Sequence, residues 1–94
     1  MAYDPKRLSV LAYANGFTLW HYLTDDTLET VMRLPRKNDA GEWSPGYFDA
    51  AADMLRQGDT IIANLTHENG DVTTPLLCVM RVEDESHVYI VRPC

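Results

Sequence analysis

The chain has 94 residues, 46% hydrophobic and 23% charged, with 14 acids against 8 bases and a net charge of −6. That length holds one domain, since domains mostly run ~100–150 residues, and a chain so short builds a thin core. Ordinary apolar and charged fractions exclude disorder, collagen and coiled coil, and the acid excess offers no basic face to a phosphate backbone.

A polar N-terminal arm, residues 1–7, leads into a first strand, Leu8 to Ala14. Asn15-Gly16 then separates it from a second strand, Phe17 to Tyr22. Asn-Gly between two apolar alternating runs is a strong hairpin signal. Alternation sends Phe17, Leu19 and His21 to one side and Thr18, Trp20 and Tyr22 to the other. Both sides carry large residues, so the strand is expected to be covered on both. Thr24-Asp25-Asp26-Thr27 is a capping or turn cluster. Leu28 to Leu34 fits helical and strand spacing alike and reads as a short helical turn running into a strand. An extended polar loop spans residues 33–45, with Trp43 its one large aromatic.

The clearest helix signal covers residues 45–56. Ser44 is placed to cap it, Pro45 suits its first turn, and Phe48, Ala51, Ala52 and Leu55 make an i, i+3, i+4, i+7 stripe. Asp49 lies where the helix dipole favours an acid, and Gly58 ends the element. Three strands follow, Asp59–Thr66, Val72–Val82 and His87–Arg92. Asn69-Gly70 and the charged Glu83-Asp84-Glu85-Ser86 form the turns between them, and Pro75 marks an irregular start. The pattern predicts a single α+β domain over residues 1–94. Its strands are mostly antiparallel, in a small sheet, sandwich or partly open barrel, with one short helix. The expected core is Leu11, Phe17, Leu19, Phe48, Leu55, Ile61, Val79, Val82 and Ile90.

The residue types that carry chemistry fall in no catalytic pattern. His21, His67 and His87 share no metal-ligand spacing with another donor, and no glycine lies in a phosphate-cradling motif. Cys78, inside Leu76-Leu77-Cys78-Val79-Met80, reads as a small buried hydrophobe, and Cys94 as exposed; two cysteines point to a reducing compartment. Asp49 and Asp53 form a like-charge i, i+4 pair, read as a solvated face. Asn64-Leu65-Thr66 matches a glycosylation sequon, a pattern common by chance. No apolar run reaches the ~20 residues of a membrane span. The expectation is a protein that is not an enzyme, needs no cofactor or metal, and binds neither nucleic acid nor membrane. Charge is uneven: residues 1–47 carry five bases and six acids, residues 48–94 three bases and eight acids.

One combination points further. Leu19-Trp20-His21-Tyr22 is followed by Gly46-Tyr47-Phe48-Asp49-Ala50-Ala51-Ala52-Asp53-Met54-Leu55, then Gly58-Asp59 and Ile61-Ile62. This resembles a group of small virion proteins of tailed bacteriophages and prophages. Their pattern is Leu-Trp-x-Tyr, a spacer, Gly-Tyr-Phe-(Asn/Asp)-x-Ala-(Ala/Ser)-x-x-Leu and Gly-Asp-x-Ile. The likeness covers residues 19–65, about half the chain. The spacer from Leu23 to Pro45 is longer than the pattern expects, which marks Arg33–Pro45 as an added contact loop. Physically the block is a folding device: Gly46 allows close approach, Phe48 and Leu55 staple the segment to the sheet, and Gly58-Asp59 turns into the next strand.

The resemblance implies a structural protein of the virion, assembled in the bacterial cytoplasm. Within that group the expectation is a capsid decoration, or cement, protein that stabilises the assembled head. Alternatives are a tail- or fibre-associated module and a phage-encoded, host-directed binding protein. The implied partners are the major capsid protein and copies of the chain itself, as a trimer on the particle. Aromatic anchors suit such contacts, which singles out Tyr3, Arg36, Lys37 and Trp43 as candidate interface residues.

Overall fold

Residues 3–92 are described by a computed structural model of the chain. After Tyr3, the Asp4 side chain caps a 3-10 turn, Pro5–Arg7, by accepting from the Lys6 amide. The first hairpin forms where Asn15-Gly16 places it, between β1 (Leu8–Ala14) and β2 (Phe17–Thr24). Gly16 supplies the left-handed conformation there, with φ +92°. A bulge between Val10 and Ala12 interrupts the pairing.

The single α-helical turn, α1 (Leu28–Val31), lies where the ambiguous segment allowed one, capped by the Thr27 hydroxyl accepting from the Thr30 amide. The strand expected to follow it does not form. The segment 33–45 is also more ordered than a loop: β3 (Arg36–Lys37) and β4 (Trp43–Ser44) pair antiparallel as a ribbon. The Asn38 side chain closes its turn, accepting from the amides of Ala40 and Glu42.

The helix expected at 45–56 is corrected to a 3-10 turn, Asp49–Ala51, followed by irregular turns. Its i, i+3 bonds run from Ala51 to Phe48 and from Ala52 to Asp49. Two side chains explain the difference. Ser44 is committed to the β4 ladder and does not cap. Asp49 folds back to accept from the Gly46 amide and reaches sideways to accept from the Val88 amide. The stripe nonetheless faces inward, with Phe48, Ala51, Ala52 and Leu55 all buried.

The chain then forms β5 (Thr60–Thr66), the short β6 (Val72–Thr73), β7 (Leu76–Glu83) and β8 (His87–Val91). Thr74-Pro75 separates β6 from β7, as proline within a ladder requires. Sheet order is β1-β2-β5-β7-β8, with β6 also paired to β5. Pairing is antiparallel throughout except β2 with β5, which are parallel. A parallel neighbour needs a crossover connection. Residues 25–59 provide it, and they form the layer over one sheet face. The domain is therefore α+β and rich in strand, as the sequence pattern implies.

The core lies between that layer and the even-numbered residues of β2. Trp20, Tyr22, Ile61, Ala63, Leu65, Leu77, Val79, Val88 and Ile90 meet Val31, Tyr47, Phe48, Ala51, Ala52 and Leu55. Three expected core residues change place. Leu19 is half-buried, and Leu11 and Phe17 are exposed. Leu11 is displaced by the bulge. Phe17 and Leu19 belong to the face opposite Trp20 and Tyr22. Val82 packs against the core from its edge. Cys78, expected as a buried hydrophobe, is half-buried and disulfide-bonded. Cys94 lies outside the described residues.

Candidate interaction surfaces

The motif blocks of the sequence converge in the core rather than on the surface. Trp20 Nε1 donates to the buried Asp59 carboxylate at 2.9 Å, and the same carboxylate accepts from the amides of Thr18 and Arg56. This bond ties Leu-Trp-x-Tyr to Gly-Asp. Tyr22 and Tyr47 tie Leu-Trp-x-Tyr to Gly-Tyr-Phe, their hydroxyls 2.8 Å apart. The proton order follows from the ends of the chain. The Asp4 amide donates to Tyr22, so Tyr22 donates to Tyr47, and Tyr47 donates to Asp26 at 2.6 Å. Burial and the bond to Asp26 hold the Tyr47 hydroxyl well above the ordinary tyrosine range. These polar groups are buried because they are paired, and they fix which segments meet.

Tyr3 belongs to this assembly too. Its ring stacks on Tyr22 at 5.6 Å and meets Phe48 edge-on at 5.7 Å. Burial, then the neighbouring Tyr22, Asp53 and Asp4, push its hydroxyl from the ordinary 10.0 up to about 12. That hydroxyl is buried without a hydrogen-bond partner. Tyr3 thus turns into its own core.

Arg36, Lys37 and Trp43 come together on the β3–β4 ribbon. All three are exposed, and Lys37 pairs across the ladder with Trp43, its ammonium 5.9 Å from the indole. The indole also stacks on His87 with centroids 4.0 Å apart. His87 Nδ1 lies 3.0 Å from Asp49 Oδ2, so the ribbon is docked on the sheet through Trp43, His87 and Asp49. Between the ribbon and α1 runs a groove of about 810 Å³, lined in part by Met32, Arg33, Leu34 and Arg36.

The open face of the sheet was not expected from the sequence. Directly paired residues share a face. The ladders therefore place Leu19 and Thr60 together, His21 and Ile62, Leu23 and Asn64, Ile62 and Leu76, and Cys78 and Val91. These residues are half-buried or exposed, with Leu23, Leu76 and Val91 at 40–47% exposure. Among the described residues no layer covers this face. It carries aliphatic side chains around one polar strip, in which Asn64 Nδ2 meets His21 Nε2 at 2.7 Å and Thr74 donates to Asn64 Oδ1. Thus β2 is covered on one side only. The sequon asparagine is engaged in this strip.

The three histidines are apart in space as in sequence: His21 meets Asn64, His67 meets Thr73, and His87 meets Asp49. Among the described residues no three His, Cys, Asp or Glu side chains gather as metal ligands would. Set against known protein families, curated proteins and solved structures, the chain matches none.

Proposed function

We propose that this chain is a non-catalytic structural protein of a tailed-phage virion, a capsid decoration protein that binds the major capsid protein. The observation that carries the reading is the open aliphatic face of the five-strand path β1-β2-β5-β7-β8. A two-layer domain buries one face of its sheet and normally leaves the other polar. Here the second face holds Leu19, Leu23, Ile62, Leu76 and Val91. Several aliphatic side chains left open on one sheet face suit a surface that a partner covers. The resemblance of the Trp20–Tyr22, Gly46–Leu55 and Gly58–Ile62 blocks to phage virion proteins supplies the kind of partner. Arg36, Lys37 and Trp43, on the added ribbon, provide a second contact.

On the particle the chain is a trimer about local threefold points of the shell. Its net charge of −6 keeps copies apart in free solution, and contacts to the shell and between copies reinforce one another once it is bound. The Cys78 disulfide suits a particle that leaves the reducing cytoplasm.

The test compares particles purified with and without the gene. Heads that lose resistance to heat, with tails intact, support decoration. Loss of tails or adsorption with normal heads moves the protein to a tail or fibre role. Normal particles of both kinds leave a host-directed factor as the reading. A reconstruction of the particle reports the symmetry, and a twofold pair there removes the trimer.

A further inference from the structure

The chain has only eight bases, yet three of them, Arg33, Arg36 and Lys37, fall within five residues, and Arg33 and Arg36 line the groove between α1 and the ribbon. Among the described residues the ion pairs are Arg7 with Asp4 and His87 with Asp49, so these three cations have no carboxylate in a chain of 14 acids. Arg33 is held in place by its Nε, which donates to the Pro45 carbonyl at 3.3 Å, and by the Tyr47 ring under its guanidinium. A guanidinium has five donors, and one is used here. The groove also has apolar lining from Met32 and Leu34, the latter 43% exposed. One acid, Glu29, lines it; Asp39 and Glu42, elsewhere on the ribbon, do not.

We propose that this groove docks an extended, acidic protein segment, its carboxylates on Arg33 and Arg36 and an aliphatic side chain against Met32 and Leu34. Charge selects the ligand: the patch is positive on a molecule whose net charge repels acids elsewhere, so an acidic segment that reaches the chain is steered here. Planar guanidinium groups match carboxylates in two-point contacts. A groove of about 810 Å³ is larger than a single carboxylate needs. Main-chain recognition is available as well, because β3, to which Arg36 belongs, pairs with β4 alone among the described residues. Nucleic acid fits less well, since its phosphates would have to pass Glu29 and a −6 molecule. The inference rests on the decoration reading only for the owner of the segment, which would be the capsid subunit below.

The experiment therefore needs no particle. The 15N-labelled chain is titrated with a short peptide alternating Glu and Leu, with the matching Lys and Leu peptide, and with a short single-stranded oligothymidine. The expected result is that the acidic peptide alone shifts amide signals of residues 29–36 and 44–45. Its affinity should fall about tenfold or more in R33E/R36E. Because Arg33 also holds Pro45, the single variant R36E is run beside it and should weaken binding in the same direction while the spectrum stays dispersed. Signals that move only on the open sheet face overturn the proposal. So do equal affinity for the basic peptide, unchanged affinity in both variants, or oligothymidine displacing the peptide. Failure here leaves the particle comparison standing, and failure of that comparison leaves the groove result standing.

Discussion

Asp59 shows how much one buried carboxylate decides. It is 2% exposed and accepts from Thr18, Trp20 and Arg56. Replacing it with alanine strands three donors, one of them an indole in the core. Asp59→Ala should therefore cost about 3 kcal/mol or more in urea unfolding, and Asp59→Asn less, since one acceptor oxygen remains. Tyr3 is the opposite case, a buried hydroxyl with no partner. Tyr3→Phe should raise stability by roughly 1 kcal/mol, because the desolvated hydroxyl gains nothing back. Its titration gives a second check. The folded state holds Tyr3 at about 12 against an ordinary 10.0. The folded state thus binds the proton more tightly than the unfolded one. The stability this contributes is complete below pH 10 and is lost as pH rises from 10 through 12. The urea midpoint should fall across that window and fall less in Tyr3→Phe; Tyr47, also raised, keeps part of the slope. Sequence shows neither role. Gly58-Asp59 reads as a turn into a strand, while its partners Trp20 and Thr18 lie 39 and 41 residues away.

At the scale of elements, the strands and hairpins were legible and the helix was not. Asn15-Gly16 and Asn69-Gly70 state their turns locally, and period-two alternation states the strands. The 45–56 segment carries a helical burial stripe, but its hydrogen bonding is set by Asp49 bonding to Gly46 and to β8, which periodicity does not report. Gly46 is where this matters most. A Cβ there would lie 2.7 Å from Pro35 Cδ and 2.8 Å from Pro35 N, so its role is space between two backbones. Gly46→Ala should cost about 1–3 kcal/mol by overpacking, seen as a lower thermal midpoint. The β7–β8 turn is a weak point of the other kind. Asp84 and Glu85 hold φ at 53° and 57°, a conformation that costs non-glycine residues roughly 1–2 kcal/mol each. Asp84→Asn with Glu85→Gly should raise stability by about 1 kcal/mol, measured in the same unfolding assay, without touching the core.

For the whole molecule, the open sheet face separates folding from assembly. Large residues on both sides of β2 predict two covered faces, because alternation shows that the sides differ and not which one the chain itself buries. The choice is made by Trp20 bonding to Asp59 and Tyr22 to Tyr47 on one side, which leaves Leu19, His21 and Leu23 on the other. Leu76, 47% exposed beside Ile62, is an accessible aliphatic side chain in the middle rows of that face. Leu76→Glu removes little that the isolated chain has buried, so its unfolding free energy should move by no more than ~0.5–1 kcal/mol. On a docked face the same change places a charge in an apolar contact and leaves it without a partner, a loss of about 2 kcal/mol or more and so well over tenfold in affinity. The measurement is binding of the purified variant to heads assembled without the native protein, beside urea unfolding of the free chain. A stable variant that no longer decorates assigns the face to the shell. A stable variant that binds as well as the native protein removes this face from the contact. A variant that unfolds shows that Leu76 serves the chain's own core, and the open face then has no claim as the surface the particle covers.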